Sequence, residues 1–108
     1  MIKGITEQRI TQGKTFPFRL RFKAEDVVKI NKIWFTCRAL SINKEMSFDS
    51  QENIYFFELS WRETQVLQPM NTTFNVTIQF IGEREPRDLA NGIPLTVVKN
   101  SNPVNMEV

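Results

Sequence analysis

The sequence has no histidine, a single cysteine and only four scattered glycines among its 108 residues. Without histidine there is no imidazole base, no Ser-His or Cys-His nucleophile pair, and none of the zinc sites that need His. One cysteine, Cys37, cannot close an intrachain disulfide, which argues against a disulfide-stapled secreted domain. The glycines never cluster, so no phosphate-cradling loop exists. Excess charge is scarce too: 14 Lys and Arg face 12 Asp and Glu, a net charge of +2. Acids are mixed among the bases, unlike the clustered positive excess of a dedicated nucleic-acid binder. No window approaches the ~20 apolar residues of a membrane helix. The opening MIKGITEQRI has no apolar run of signal-peptide length. The expectation is a protein made in the cytoplasm without a signal peptide and without a membrane partner.

What is present is a core. The chain is 41% hydrophobic, with nine Phe, two Trp and one Tyr, too apolar for intrinsic disorder. Its length fits one domain, over 1–99, followed by a polar tail over 100–108. At this size folding buries about two-thirds of the extended-chain surface, enough for one core without staples.

Period two dominates the chain. In KTFPFRLRF, Phe16, Phe18, Leu20 and Phe22 alternate with Pro17, Arg19 and Arg21, the pattern of a half-buried strand. Pro17 has no N–H to give a ladder, which places this strand at an edge or a bulge. ITEQRI (5–10) reads as a short strand before it, and TQGK as a turn at Gly13. The polar stretch 23–32 reads as a loop or a single helical turn. KIWFTCRALSI (32–42) reads as one strand that is strong on both faces: Ile33, Phe35, Cys37 and Ala39 on one, Trp34, Thr36, Arg38 and Leu40 on the other. NKEMSFD (43–49) gives a turn and a short strand, and DSQEN a turn. IYFFELSW (54–61) aligns Tyr55, Phe57, Leu59 and Trp61.

At Ser60 the period changes. Ser60 followed by Glu63 has capping-box spacing, and Pro69 stops the segment, so a helix of one to two turns is expected over 61–67. TTFNVTIQFIG (72–82) is the cleanest strand. EREPRDLANG (83–92) reads as a long charged hairpin connection, and IPLTVVK (93–99) as the last strand. About seven short strands with one helical turn predict an all-β fold, a two-sheet antiparallel sandwich.

The search for chemistry yields no catalytic, cofactor-binding or metal-ligating residue. Cys37 sits mid-strand among apolar residues, where a thiol behaves as a small hydrophobe. The carboxylates Glu45, Asp49, Glu83, Glu85 and Asp88 fall in turns or at strand ends, and Arg84 and Arg87 interleave the last three as in a solvated hairpin. Asn71 and Asn75 match the glycosylation acceptor, and the expectation, for a chain made without a signal peptide, is a chance match.

The remaining candidates are interface residues. Arg19, Arg21 and Lys23 form a basic row on the polar face of one strand, with Arg38 as a possible addition and Trp34 as an exposed neighbour. Three readings stand: edge charges that discourage aggregation, a contact row that meets acidic residues of a protein partner, and a nucleic-acid groove. The last lacks stacking aromatics, since those of the same strand face the core.

GKTFPFRLRF, KIWFTCRA, YFFELSWRETQVLQPMNTTFNVTIQF and GIPLTVVKN together resemble small phage virion domains with an immunoglobulin-like sandwich, above all the N-terminal domain of baseplate upper proteins. The resemblance implies an antiparallel immunoglobulin-like β-sandwich and a non-enzymatic structural or assembly role in a phage or prophage tail or baseplate. It implies protein partners, by self-association or by docking onto a larger virion assembly, and it offers no reactive residue. The connection 83–92 departs from it, being longer than a tight hairpin turn. The competing reading is a sandwich that binds carbohydrate or a surface ligand through Trp34, Tyr55 or Trp61.

Overall fold

The computed structural model describes residues 5–100. Eight strands are present there: β1 (Gln8–Thr11), β2 (Phe16–Arg21), β3 (Ile30–Cys37), β4 (Ile42–Glu45), β5 (Ser47–Asp49), β6 (Ile54–Leu59), β7 (Met70–Phe80) and β8 (Arg87–Val98). A one-turn helix α1 (Ala24–Val27) precedes β3, a 3₁₀ turn (Arg38–Leu40) follows it, and helix α2 (Trp61–Gln65) links β6 to β7. One sheet has five strands in the order β1-β8-β7-β3-β4, and the other has three in the order β2-β6-β5. The protein is an all-β sandwich. The three-stranded sheet corresponds to strands B, E and D of an immunoglobulin domain, and β8-β7-β3-β4 to G, F, C and C′.

Alternation builds the core. Along β2 every second residue, Phe16, Phe18 and Leu20, is buried, while Pro17, Arg19 and Arg21 stay exposed. Phe35 on β3 lies 4.7 Å from the Phe74 ring of β7, and across the sandwich 5.0 Å from Phe18 and 4.7 Å from Phe57. These spacings are those of favourable aromatic pairs. Cys37 is fully buried in the same layer.

Several sequence expectations need correction. The sandwich is not wholly antiparallel, because β1 pairs β8 in parallel. Three helical turns are present among the described residues, rather than one. The stretch 32–42 is two strands: Arg38–Leu40 wind into a 3₁₀ turn that ends at Ser41, which has φ 55°. Ala39 therefore leaves the core face. Stretch 43–49 is also two strands in different sheets, and buried Met46 marks the crossing between them. Trp61 does not continue the β6 face; it opens α2 and is 49% exposed.

The last strand begins at Arg87, so the connection after β7 is short. Two register shifts in β8 accommodate extra residues opposite Phe74–Thr77. Gly92 sits there at φ 68°, a conformation that suits glycine. Asn75 fixes the irregularity by accepting the Gly92 N–H at 2.8 Å. Bulge and turn share the same residue preferences, which is why this segment reads as a loop in sequence. The first strand starts at Gln8 rather than Ile5 and runs through Thr11, which the sequence pattern places in the turn, and the expected tail lies, apart from Asn100, outside the described residues.

The capping box forms as its spacing requires. The Glu63 N–H donates to Ser60 Oγ at 3.2 Å, and the Ser60 N–H donates to Glu63 Oε1 at 2.9 Å. That second bond, aided by Lys44, holds the Glu63 carboxyl below its usual range. A lowered folded value makes its stabilisation complete above the ordinary carboxylate range and lost as pH falls through the folded value. Ser60→Ala is expected to cost about 1 kcal/mol in urea denaturation. In Glu63→Gln the acid-side loss of stability shrinks relative to the parent chain; an unchanged acid limb would contradict the assignment.

Candidate interaction surface

The candidate residues do not converge on one surface. Arg19 and Arg21 project from the outer face of the three-stranded sheet. Their cross-strand partners on β6 are Phe56 and Ile54, and Pro17 stands opposite Glu58. On the far strand β5, Ser47 and Asp49 flank the same two β6 residues. The outer face is thus a basic margin on β2, a half-buried apolar centre of Phe56 and Ile54, and a polar margin on β5.

Lys23 continues the basic margin past the end of β2, where its carbonyl accepts the Asp26 and Val27 N–H groups that close α1. Arg19 and Lys23 have no ion-pair partner among the described residues. Arg21 lies 3.6 Å from Glu52, with side chains 68% and 58% exposed. Such a pair contributes about 0–1 kcal/mol and is readily exchanged.

Trp34 lies on the opposite side of the molecule. It is half-buried on the outer face of the five-stranded sheet, between Glu45 on β4 and Thr77 on β7. Arg38 is exposed at the far end of β3. The eight residues of β3 put it roughly 25 Å from the α1 end, where Lys23 sits. Sequence reasoning grouped Arg19, Arg21 and Lys23 with Trp34 and Arg38, which lie elsewhere, and missed Phe56 and Ile54. The signal was present, since IYFF is apolar at odd and even positions, but only the register with β2 puts Phe56 beside Arg19.

The aromatic candidates for a sugar platform are also dispersed. Tyr55 is buried edge-on against Phe22 at 5.8 Å, and burial raises its phenol above the ordinary value. Trp61 is capped by Arg62, whose guanidinium carbon is 5.1 Å from the ring centre. With Trp34 on a third surface, no two of these rings share a stacking face.

Other features have local explanations. Among the described residues, shallow hollows lie at the ends of the sandwich, one of about 470 Å³ beside Val28, Phe80 and Ile81 and one of about 340 Å³ beside Leu40, Val66 and Leu67. Their rims carry the pairs Glu83–Arg87 and Lys44–Glu63. These charges engage each other rather than pointing inward, whereas a small-molecule site needs convergent polar groups. Asp49 accepts the Gln51 N–H at 3.0 Å and holds a turn, and Glu45 lies 3.9 Å from Lys32. Among the described residues, no three of His, Cys, Asp and Glu come together as a metal set. No described helix is long and apolar enough to cross a membrane.

No protein-family model matches the sequence, and no curated protein does. Solved structures do match. The immunoglobulin-like domain of mouse leukocyte-associated immunoglobulin-like receptor 1, solved as a strand-swapped dimer, superposes with a TM-score of 0.55 at 13% identity. The match covers 92% of this chain and 95% of that one. A candidate glycoside hydrolase from Bacteroides vulgatus matches with a TM-score of 0.46 at 13% identity, over 88% of this chain and 17% of that one. At such identities the likeness concerns the fold, which is immunoglobulin-like.

Proposed function

We propose that this chain is a non-enzymatic assembly module of a phage or prophage tail or baseplate, and that it docks onto protein through the basic margin of its three-stranded sheet. The observation that carries the reading is the outer face of that sheet. Arg19 and Lys23 have no ion-pair partner there among the described residues, Arg21 is only loosely held, and half-buried Phe56 and Ile54 lie alongside. A half-buried apolar centre with a charged margin is the anatomy of a polar-rimmed protein interface. Charge of one sign on such a margin steers and registers a partner of the other sign. The mouse receptor domain is a strand-swapped dimer, so an immunoglobulin-like sandwich can associate through its strands. The phage assignment rests on the sequence resemblance.

The test is composition. In particles purified from an induced culture of the source organism, quantitative mass spectrometry is expected to find the chain in a fixed ratio to the other tail proteins. Its absence from washed, intact particles would overturn the reading.

A further inference from the structure

The docking reading leaves open what the basic margin receives, and the backbone of β2 narrows the answer. Strand β2 pairs with β6 and with no other described strand. The Phe22 N–H donates to the carbonyl of Asn53 directly across from it, at 3.0 Å. Hydrogen-bonded and non-hydrogen-bonded pairs alternate along an antiparallel ladder. Phe16, Phe18, Leu20 and Phe22 therefore aim their N–H and C=O groups at β6. Pro17, Arg19 and Arg21 aim theirs away from it, to the open side. Pro17 sits where a missing N–H costs the ladder nothing. What remains on that side is a row of three carbonyls and the N–H groups of Arg19 and Arg21.

Such a row is a template for one more strand. It is also the side on which strand A lies in the four-stranded ABED sheet of an immunoglobulin domain. The charges say what kind of strand fits. Two copies of β2 paired antiparallel about Arg19 would set Arg19 against Arg19, and like charges directly opposite are destabilising.

We propose that the open edge of β2 takes an extended segment of a partner protein as an added strand, with two carboxylates spaced two residues apart opposite Arg19 and Arg21. This names the partner chemistry of the docking reading and rests on it. Backbone pairing supplies affinity without sequence preference, and the arginines supply register and choice of partner. The exposed Arg21–Glu52 pair opens to admit the second carboxylate.

The probe is a fluorescein-labelled eight-residue peptide of alternating glutamate and valine, read by anisotropy at low salt. One control carries lysine in place of glutamate. The other has the same composition with all glutamates contiguous. The alternating glutamate peptide is expected to bind about tenfold or more tighter than either control. Arg19→Glu/Arg21→Glu should abolish that preference and favour the lysine peptide. Arg19→Gln/Arg21→Gln should reduce binding without reversing it, and thermal melts of both variants establish that they fold. In heteronuclear NMR, the bound peptide should slow amide exchange at Arg19 and Arg21.

Equal binding of the contiguous peptide would reduce the effect to non-specific charge and overturn the proposal. So would binding that leaves the Arg19 and Arg21 amides unchanged. The two readings fail separately: peptide binding by a chain absent from particles sinks the docking role alone. A chain present in particles whose β2 edge ignores the peptide sinks only the added strand.

Discussion

Replacing Phe35 by alanine lowers the free energy of unfolding by about 3–5 kcal/mol. Phe35 is fully buried and touches rings from both sheets, lying 4.7 Å from Phe57 and from Phe74. Truncation removes that contact area and leaves a cavity that β3, held between β7 and β4, cannot close. Against a total stability of about 5–15 kcal/mol for a domain, this is enough to populate the unfolded state at moderate temperature. Guanidinium denaturation measures it. The neighbouring Trp34→Ala is the control, because Trp34 is half-buried on the outer face. Equal losses at the two positions would contradict the division of β3 into an inner and an outer face.

Thr64→Val is expected to cost about 1–3 kcal/mol although it keeps the side-chain shape. Thr64 is fully buried. Its hydroxyl lies 2.8 Å from the Lys14 carbonyl and 3.1 Å from that of Trp61. The first bond ties α2 to the turn between β1 and β2, the second lies within α2, and the amide of Gln12 adds a 2.6 Å bond to the Leu67 carbonyl. The valine variant loses the donor, leaves the Lys14 carbonyl without this hydrogen bond and sets a methyl group against it. A drop in melting temperature of roughly 4–8 °C per kcal/mol follows for a domain of about this size. An unchanged melt would mean that α2 is an ornament on the sandwich rather than one of its ties.

The same tie marks how far the sequence could be read. Ser60 and Glu63 announced α2 because capping is local: both partners lie within four residues. Alternation announced β2, β3, β6 and β7 for a similar reason, since each strand's inner face is written in its own residues. Pro17 pointed to an edge or a bulge, and β2 has β6 as its one described neighbour. What stayed hidden depends on contacts between distant segments. Nothing near Arg87 says that it pairs with Ile78, or that Gly92 sits in a bulge held by Asn75. Met46 gives no sign that the chain changes sheets there. The parallel pairing of β1 with β8 joins residues at opposite ends of the sequence. The candidate surface divides in the same way. The arginine row is local and legible, whereas Phe56 and Ile54 join it only through the register of β2 with β6. Trp34 fell on the wrong side of the molecule because alternation names two faces without saying which sheet they belong to.

Amide hydrogen exchange of the free protein, resolved residue by residue along β2, tests the account most directly. Phe18, Leu20 and Phe22 should exchange slowly, their N–H groups being bonded to β6, while Arg19 and Arg21 exchange fast from an open edge. Slow exchange at Arg19 and Arg21, equal to that of Leu20 in dilute protein, would mean that the edge is already filled, and β2 could not be the surface on which a partner docks.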